Sequence, residues 1–277
     1  MSQDTHRPNA NTVSAAGYRT EPFPRMRQLV LDAGWMARRR HMIHAFVEFD
    51  VTSPRQQIAA YRARTGEKLS FSAFVSACVG RAVAADPHVH AYRNWRNRLV
   101  IFDDVDILMV VEMAVGARTF PLVHNLRATN RRTVLDLHRE IRAIQAEPER
   151  SVAAQSPLMR GYYRLPALVR RSIYRFMEAN PQWRCRVSGT VGLTSVGMFG
   201  EGSGWGMGAP NHTLGIVLGG IACKPAYVNG NIEPRDFLCV TISFDHDIVD
   251  GAPAARFTQK FRELVEAGAG LPEIDAR

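Results

Sequence analysis

The stretch TISFDHDIVDG, at positions 241–251, places a histidine and three carboxylates directly after an apolar run. Three of the first four residues are apolar or β-branched, which predicts a buried strand that ends just before His246. Asp250 and Gly251 follow one turn later, before a segment with helical apolar spacing. Because imidazole titrates near neutral pH and rigid neighbours can fix its tautomer, a histidine at this strand end is suited to act as a general base.

Two other interpretations of this stretch compete with a catalytic one. A lone histidine is most often structural or solvated. The three carboxylates also resemble a calcium loop, but the third is displaced by one position and no glutamate follows at the twelfth place. We therefore exclude calcium and expect no metal. The placement of the histidine between a strand and an amphipathic helix favours the catalytic interpretation.

Length and composition predict one α/β domain. The chain has 277 residues, 46% of them hydrophobic, which is enough to bury a large core, and no apolar run reaches the ~20 residues of a membrane span. Residues 1–20 are polar and lack the apolar region of a secretory signal, so we expect a disordered leader before a domain at 21–277. Four cysteines without a C-x-x-C pair indicate neither disulfides nor zinc and favour a reducing cytoplasm.

Charge favours an anionic partner. There are 35 Lys+Arg against 26 Asp+Glu, a formal net charge of +9. The basic residues form only short, dispersed clusters, and no zinc finger, RNA-binding aromatic signature or compelling helix-turn-helix is present. Nucleic acid is therefore not expected, and a phosphate-bearing cofactor fits the charge better.

Two further segments each leave two interpretations open. Residues 158–177 combine arginines with large apolar side chains, as in a helix that touches a membrane surface, but packing against the same domain or a neighbouring subunit is preferred. Residues 197–208 carry six glycines, as a phosphate-binding loop does. Neither the P-loop pattern nor a strand–G-x-G-x-x-G–helix unit is present, so a flexible loop or close backbone packing is preferred.

Two motifs resemble one enzyme family. SFDHDIVDGAPAARF, from position 243, resembles the active-site motif of the dihydrolipoyl acyltransferase catalytic domain of 2-oxo-acid dehydrogenase complexes, S-F-D-H-R-x-x-D-G-A followed by A-x-F. GTVGLTSVGMFG, from position 189, resembles the G-T-F-T-I-S-N-x-G-M-F-G segment of that family. Weaker matches extend the resemblance to about residues 24–268. Chloramphenicol acetyltransferase, which shares the H-x-x-x-D-G motif, is a more distant relative.

The resemblance implies an α/β fold, a chloramphenicol acetyltransferase-like mixed sheet with flanking helices. It also implies a homotrimer with active sites at the subunit interfaces, which can build larger cages, and coenzyme A as the acyl carrier. The surplus of arginines suits the phosphates of coenzyme A.

The resemblance also assigns roles to residues by position. His246 takes the place of the general base that removes a proton from the acceptor. Thr194 stands where the family has the serine that donates a hydrogen bond to the tetrahedral oxyanion, and the adjacent Ser195 is the alternative. Asp250 would order the loop that carries the histidine by pairing with an N-terminal arginine, Arg27 or Arg25.

Three departures from the family shape the expected function. Asp247 stands where the family usually has arginine, and a carboxylate there favours the protonated, less basic form of His246. No lipoyl domain is evident, so we expect no covalently bound lipoyl group on this chain and an acceptor that is a lipoyl group on a separate protein or a small molecule. Residues 151–187 are expected to be an insertion relative to the family. The alternative function is a catalytically inactive subunit that forms a trimer or cage.

Overall fold

A computed structural model of the protein describes residues 18, 20–23, 27–115, 118–147, 161–162, 164–196, 202–209 and 211–273, with backbone alone at 111–115 and 118–122. The helices are α1 (Arg27–Ala37), α2 (Thr52–Thr65), α3 (Phe71–Ala85), α4 (Val134–Ala146), α5 (Ala167–Ala179), α6 (Pro181–Ser188) and α7 (Gly251–Glu266). The strands are β1 (Met42–Asp50), β2 (Tyr92–Arg93), β3 (Leu99–Val100), β4 (Ile107–Val115), β5 (Arg118–Leu126), β6 (Val191–Ser195), β7 (Leu214–Val228) and β8 (Asn231–Asp245).

A mixed sheet of six strands forms the centre of the fold, in the order β1-β8-β7-β6-β4-β5. β6 runs parallel to both β4 and β7, and the remaining neighbours are antiparallel. The strands β2 and β3 form a separate two-stranded pair. The predicted α/β class with a mixed sheet is therefore present, and β8 lies inside the sheet with a partner on each side.

Helices cover one face of this sheet. Alternate residues of the strands point to that face, and those of β7 and β8, such as Ile216 and Phe244, are almost fully buried. α3 is buried nearly all round, as its run of small and apolar residues predicts. α7 packs against the strands through aromatic contacts, including Phe244 with Phe257 at 5.7 Å between ring centroids. The core thus fixes the strand before His246 and the helix after it.

The described residues cover the opposite face of the sheet only in part. Strand register places Thr194, Val217, Thr241 and Phe46 in one row across this face. Val217 and Thr241 are buried, whereas Phe46 is 51% exposed. An apolar side chain this exposed in the middle of a strand leaves room for a further protein surface.

The glycine-rich loop lies directly against β7. The backbone N–H of Gly220 donates to the carbonyl of Gly204 at 2.9 Å, and a Cβ added at Gly219 would come within 2.0 Å of that carbonyl oxygen. Only glycine permits backbones to approach this closely. Trp205 extends from the same loop and donates its indole N–H to the carbonyl of Val47 in β1, at 3.3 Å. Of the two preferred interpretations, a flexible loop or close backbone packing, close packing is confirmed for the described residues of this loop.

Residues 167–177 of the basic amphipathic segment lie in α5, which packs against α1 through a buried ion pair. The Arg170 Nε donates to Asp32 Oδ2 at 2.7 Å, and Tyr162 donates its hydroxyl to the same oxygen at 2.8 Å. The side chains of Asp32 and Arg170 are 2% and 8% exposed. One side of α5 thus packs against the same chain, as the preferred interpretation predicts. No helix in the described part of the chain is long and apolar enough to cross a membrane.

Removal of the carboxylate at Asp32 tests how strongly this pair holds α5 to α1. We expect Asp32→Ala to lower the free energy of unfolding by about 3–5 kcal/mol, because it leaves a buried guanidinium without its partner. Urea denaturation followed by circular dichroism measures this loss. Asp104→Ala is the matched control, since Asp104 also pairs with an arginine at 2.7 Å but is 51% exposed. There we expect less than about 1 kcal/mol, and equal losses for the two variants would contradict the prediction.

Candidate active site

The turn that carries His246 is anchored on both sides of the histidine. The carbonyl of Asp245 accepts the backbone N–H groups of Ile248 and Val249 at 3.0 and 2.9 Å, which closes the turn. Val249 is 2% exposed and fixes the far end of the turn in the core. The histidine side chain itself is exposed, so within a single chain it is open to an incoming substrate.

Arg40 and His41, which precede β1, bind this turn. Arg40 Nη1 donates to Oδ2 of Asp245, and the carbonyl of His41 accepts the backbone N–H of His246 at 2.7 Å. The Asp245 side chain is only 5% exposed, whereas that of Arg40 is 11% exposed. The histidine is therefore held by the start of β1 as well as by its own strand.

A chain of alternating charges extends from Asp245 away from the turn. Arg40 Nη2 donates to Glu178 Oε1 at 2.6 Å, and Arg184 Nη1 lies 3.5 Å from the same oxygen. Although burial lowers the pKa of Arg40, the carboxylates of Glu178 and Asp245 raise it above its ordinary value. Burial lowers the pKa of Arg184, whose guanidinium lies over the ring of Tyr92 at 4.0 Å. A cavity of about 120 Å³ next to the turn is lined by these groups.

Thr194 and Ser195, at the end of β6, point to opposite faces of the sheet. Thr194 pairs in register with Val217, and Ser195 with Leu218, which faces the helices. Thr194 is half-buried and shares the partly covered face with Asp245. Among the described residues, neither hydroxyl makes a hydrogen bond, so both remain able to donate to a ligand. Only Thr194, and not Ser195, lies on the same face of the sheet as the Asp245 side chain.

Strand register separates Thr194 from His246 within one chain. Thr194 lies in the same row as Thr241, two strands away, and His246 follows Thr241 by five residues. With ~3.3 Å per residue and ~4.8 Å between strands, their Cα atoms are about 19 Å apart. Their side chains therefore cannot contact the same substrate atom within one subunit.

Asp250 does not pair with Arg27, the one predicted partner that the structure describes. Its side chain is exposed at the N-terminus of α7 and makes no ion pair among the described residues, and Arg27 is exposed on α1. Arg25 lies outside the described residues. The pairing of Asp250 with either arginine stays a prediction, while the contact that the structure does show is between Arg40 and Asp245.

Asp247, which replaces the usual arginine of the family motif, is engaged by another histidine. Its Oδ1 lies 2.9 Å from Nδ1 of His41. The side chains are 36% and 80% exposed, so solvent screens this pair. Among the described residues, it is the ring of His41, and not that of His246, which lies within hydrogen-bonding distance of the Asp247 carboxylate.

Sequence reasoning missed Arg40, His41, Asp245 and Glu178 as parts of the site. The three arginines at 38–40 are visible as a basic cluster, but only the antiparallel pairing of β1 with β8 shows which of them meets the turn. No group of three or more His, Cys, Asp or Glu side chains that could hold a metal occurs in the part of the chain that the structure describes.

Two buried histidines next to this region are neutral at physiological pH. Burial lowers the pKa of His90 to about 4 and that of His212 to about 3. His90 donates from Nε2 to the carbonyl of Phe102 at 3.1 Å, and His212 donates from Nε2 to the carbonyl of Ser188 at 2.7 Å. Each ring therefore serves as a neutral donor inside the fold.

These histidines predict a loss of stability in mild acid. Because the pKa of His90 is lower in the folded than in the unfolded chain, the unfolded chain binds more protons below pH 6.5. The contribution of neutral His90 to the free energy of unfolding is therefore complete above pH 6.5. It is lost as the pH falls towards 4, by about 1.4 kcal/mol per pH unit. We expect His90→Gln to remove about 2 kcal/mol of the difference between the free energies of unfolding at pH 7 and pH 5.

Urea denaturation at both pH values measures this difference. His88→Gln is the control, because the His88 side chain is 64% exposed. An unchanged pH dependence in the His90 variant would show that this histidine does not couple folding to pH.

Comparison with known proteins supports the family predicted from the two motifs. A family model described as 2-oxoacid dehydrogenases acyltransferase (catalytic domain) matches residues 186–271, which contain both Thr194 and His246. The chain is 24% identical over 231 residues to the dihydrolipoyllysine-residue succinyltransferase component of the 2-oxoglutarate dehydrogenase complex from Homo sapiens. That alignment covers 81% of this chain and 44% of the human protein. The chain spans about half the length of the curated relatives it matches.

Solved structures share the fold. A probable dihydrolipoamide acetyltransferase from Listeria monocytogenes superposes with a TM-score of 0.69 at 19% identity, over 94% of this chain and 99% of that one. The dihydrolipoamide acetyltransferase of Azotobacter vinelandii, studied for the roles of a serine, a histidine and an asparagine in catalysis, gives 0.66 at 18% identity, over 94% and 97%. A chloramphenicol acetyltransferase gives 0.50 at 13% identity, over 88% and 96%. The predicted chloramphenicol acetyltransferase-like fold is confirmed.

Proposed function

With residues 186–271 matched to the acyltransferase catalytic domain of 2-oxoacid dehydrogenases, we propose that this protein is a coenzyme A-dependent acyltransferase with His246 as its general base. The acyl group moves between a coenzyme A thioester and a thiol. That thiol is a lipoyl group on another domain or protein, or belongs to a small-molecule acceptor. The observation that carries the proposal is the exposed His246 on a turn anchored by buried groups, in a fold shared with known acyltransferases.

The spacing of the proposed catalytic residues supports this assignment. In the Azotobacter vinelandii enzyme, the serine precedes the histidine by as many positions as Thr194 precedes His246. The asparagine there follows the histidine at the same interval at which Asp250 follows His246. Thr194 is therefore preferred over Ser195 as the oxyanion donor, in agreement with the face of the sheet to which each side chain points.

The reaction follows from these two positions. His246 accepts the proton of the acceptor thiol, and the resulting thiolate attacks the thioester carbonyl. The carbonyl oxygen becomes an oxyanion, to which the Thr194 hydroxyl donates a hydrogen bond. When the tetrahedral intermediate collapses, the carbon–sulfur bond to coenzyme A breaks and the protonated His246 returns its proton to the leaving thiolate. Each turnover thus restores the neutral imidazole.

Substitution of both groups tests the assignment. We expect His246→Ala to abolish acyl transfer from a panel of acyl-CoA donors to dihydrolipoamide, because the base is lost. Thr194→Ala should lower kcat by about 10²–10³-fold through loss of the oxyanion donor, and Thr194→Ser should retain most of the rate. Release of free coenzyme A thiol measures turnover.

Ser195→Ala is the matched control, since its hydroxyl lies on the helix-covered face and its loss should leave kcat near that of the wild type. Equal turnover by the wild type and the His246 variant would refute the role of the histidine. A stable trimer that neither binds coenzyme A in calorimetry nor turns over any thioester would favour the alternative, an inactive assembly subunit.

We also propose that the active site forms between subunits of a homotrimer. Thr194 and His246 are about 19 Å apart in one chain, so a second copy has to bring the threonine to the histidine. The exposed Phe46 on the partly covered face of the sheet provides apolar surface for such a contact. Trimers of this kind can assemble further into a cage.

Mixed trimers test this arrangement directly. When His246→Ala and Thr194→Ala subunits are unfolded, mixed in equal amounts and refolded, some interfaces combine an intact histidine with an intact threonine. Random mixing predicts recovery of roughly a quarter of the wild-type activity, although each parent is nearly inactive. Activity assays before and after mixing, with size-exclusion chromatography to confirm assembly, measure the recovery. Mixed assemblies without regained activity would place both residues in the same subunit's site.

A further inference from the structure

Two consecutive residues bind three consecutive residues of the histidine turn. Arg40 donates to the Asp245 side chain, the His41 carbonyl accepts the N–H of His246 at 2.7 Å, and the His41 ring lies 2.9 Å from Asp247. The contacts thus fall before, at and after the histidine. Residues 40–41 and 245–247 form what we call the histidine clamp.

The contacts of the clamp differ in strength. His41 and Asp247 are largely open to water, so their pair contributes little. Arg40 and Asp245 are nearly buried, and a charge-assisted hydrogen bond in such a place is much stronger. The Asp245 carbonyl also accepts two backbone N–H groups of the turn. The orientation of Asp245 therefore sets the position of the turn.

Arg40 depends in turn on a residue from α5. Its second terminal nitrogen, Nη2, donates to Glu178 Oε1 at 2.6 Å, so the planar guanidinium is held by carboxylates on two sides. Glu178 also lies 3.5 Å from Arg184, which is 6% exposed. Without Glu178, Arg40 keeps only Asp245 as a carboxylate partner, and Arg184 keeps no ion pair among the described residues. Loss of this charge compensation around two arginines with little solvent exposure is costly and favours displacement of Arg40.

We propose that Arg40 and Glu178 are positioning residues that act through Asp245 to hold the His246 turn in its reactive orientation. This inference rests on the proposed acyltransferase function. It also gives α5 a role, because this helix supplies Glu178. α5, which lies within the expected insertion at 151–187, then supports the histidine turn.

Hydrogen exchange of the turn tests the clamp without reference to activity. We compare the wild type with Glu178→Gln, which keeps the shape of the side chain but removes its charge. Glu233→Gln is the matched control, because Glu233 also pairs with an arginine, Arg235 at 3.0 Å, in the β7–β8 hairpin. Loss of one charge-assisted hydrogen bond predicts exchange about tenfold faster at the backbone N–H groups of residues 246–249, with α3 unchanged.

Steady-state kinetics then distinguish positioning from a general electrostatic effect. We expect Glu178→Gln to lower kcat about tenfold at the plateau of the pH profile, with KM for acyl-CoA unchanged. Arg40→Lys should behave similarly, since one ammonium group cannot reproduce the planar fork between two carboxylates. Glu233→Gln should match the wild type in every measurement.

Faster exchange confined to the turn, together with the loss in plateau kcat, would support the proposal. Unchanged exchange in the turn, or faster exchange only as part of global unfolding, would overturn it. A displaced pH profile with an unchanged plateau would also overturn it. A wild-type protein that transfers no acyl group would refute the proposed function instead, and the exchange data would still decide whether Glu178 holds the turn.

Discussion

The pairing of β8 with strands on both sides is the constraint on which the site depends. β1 and β7 bind it along its length, and its residues from Leu238 to Phe244 are buried or nearly so. A strand held in this way cannot slip, because a shift of one residue would turn its apolar side chains away from the helices. The turn at its end therefore starts from a fixed point, which is what a general base requires.

Buried charged groups hold the turn at the end of β8, although burying a charge costs desolvation free energy. Asp245 and Arg40 have little access to water, and each alone would cost several kcal/mol to bury. Packing against apolar groups would hold the turn with a smaller loss of solvation free energy. It would not, however, fix the orientation of a short polar turn at the protein surface. Directional hydrogen bonds do so, since both the donor and the acceptor geometry are restricted.

Local patterns in the sequence predicted much of the fold and the position of His246 between a buried strand and a helix. The apolar run before His246, the helical spacing after Gly251 and the capping threonine of α4 all act within a few residues. The sequence analysis did not predict β5. This strand contains Pro121 and lies at the sheet edge, where a missing N–H is tolerated. The contact between Arg40 and Asp245 joins residues 205 positions apart, and no local pattern contains it.

Strand register explains why one chain gives only part of the site. Thr194 and His246 both follow from motif position, yet the sheet holds them at different heights on different strands. Because neither strand can move within the sheet without exposing the core, no local rearrangement of one subunit brings the two groups together. Under the proposed function, assembly is then a condition for catalysis rather than an addition to it. The same proposal constrains the substrates, since an acyl donor and an acceptor that share His246 as base would both have to enter between subunits.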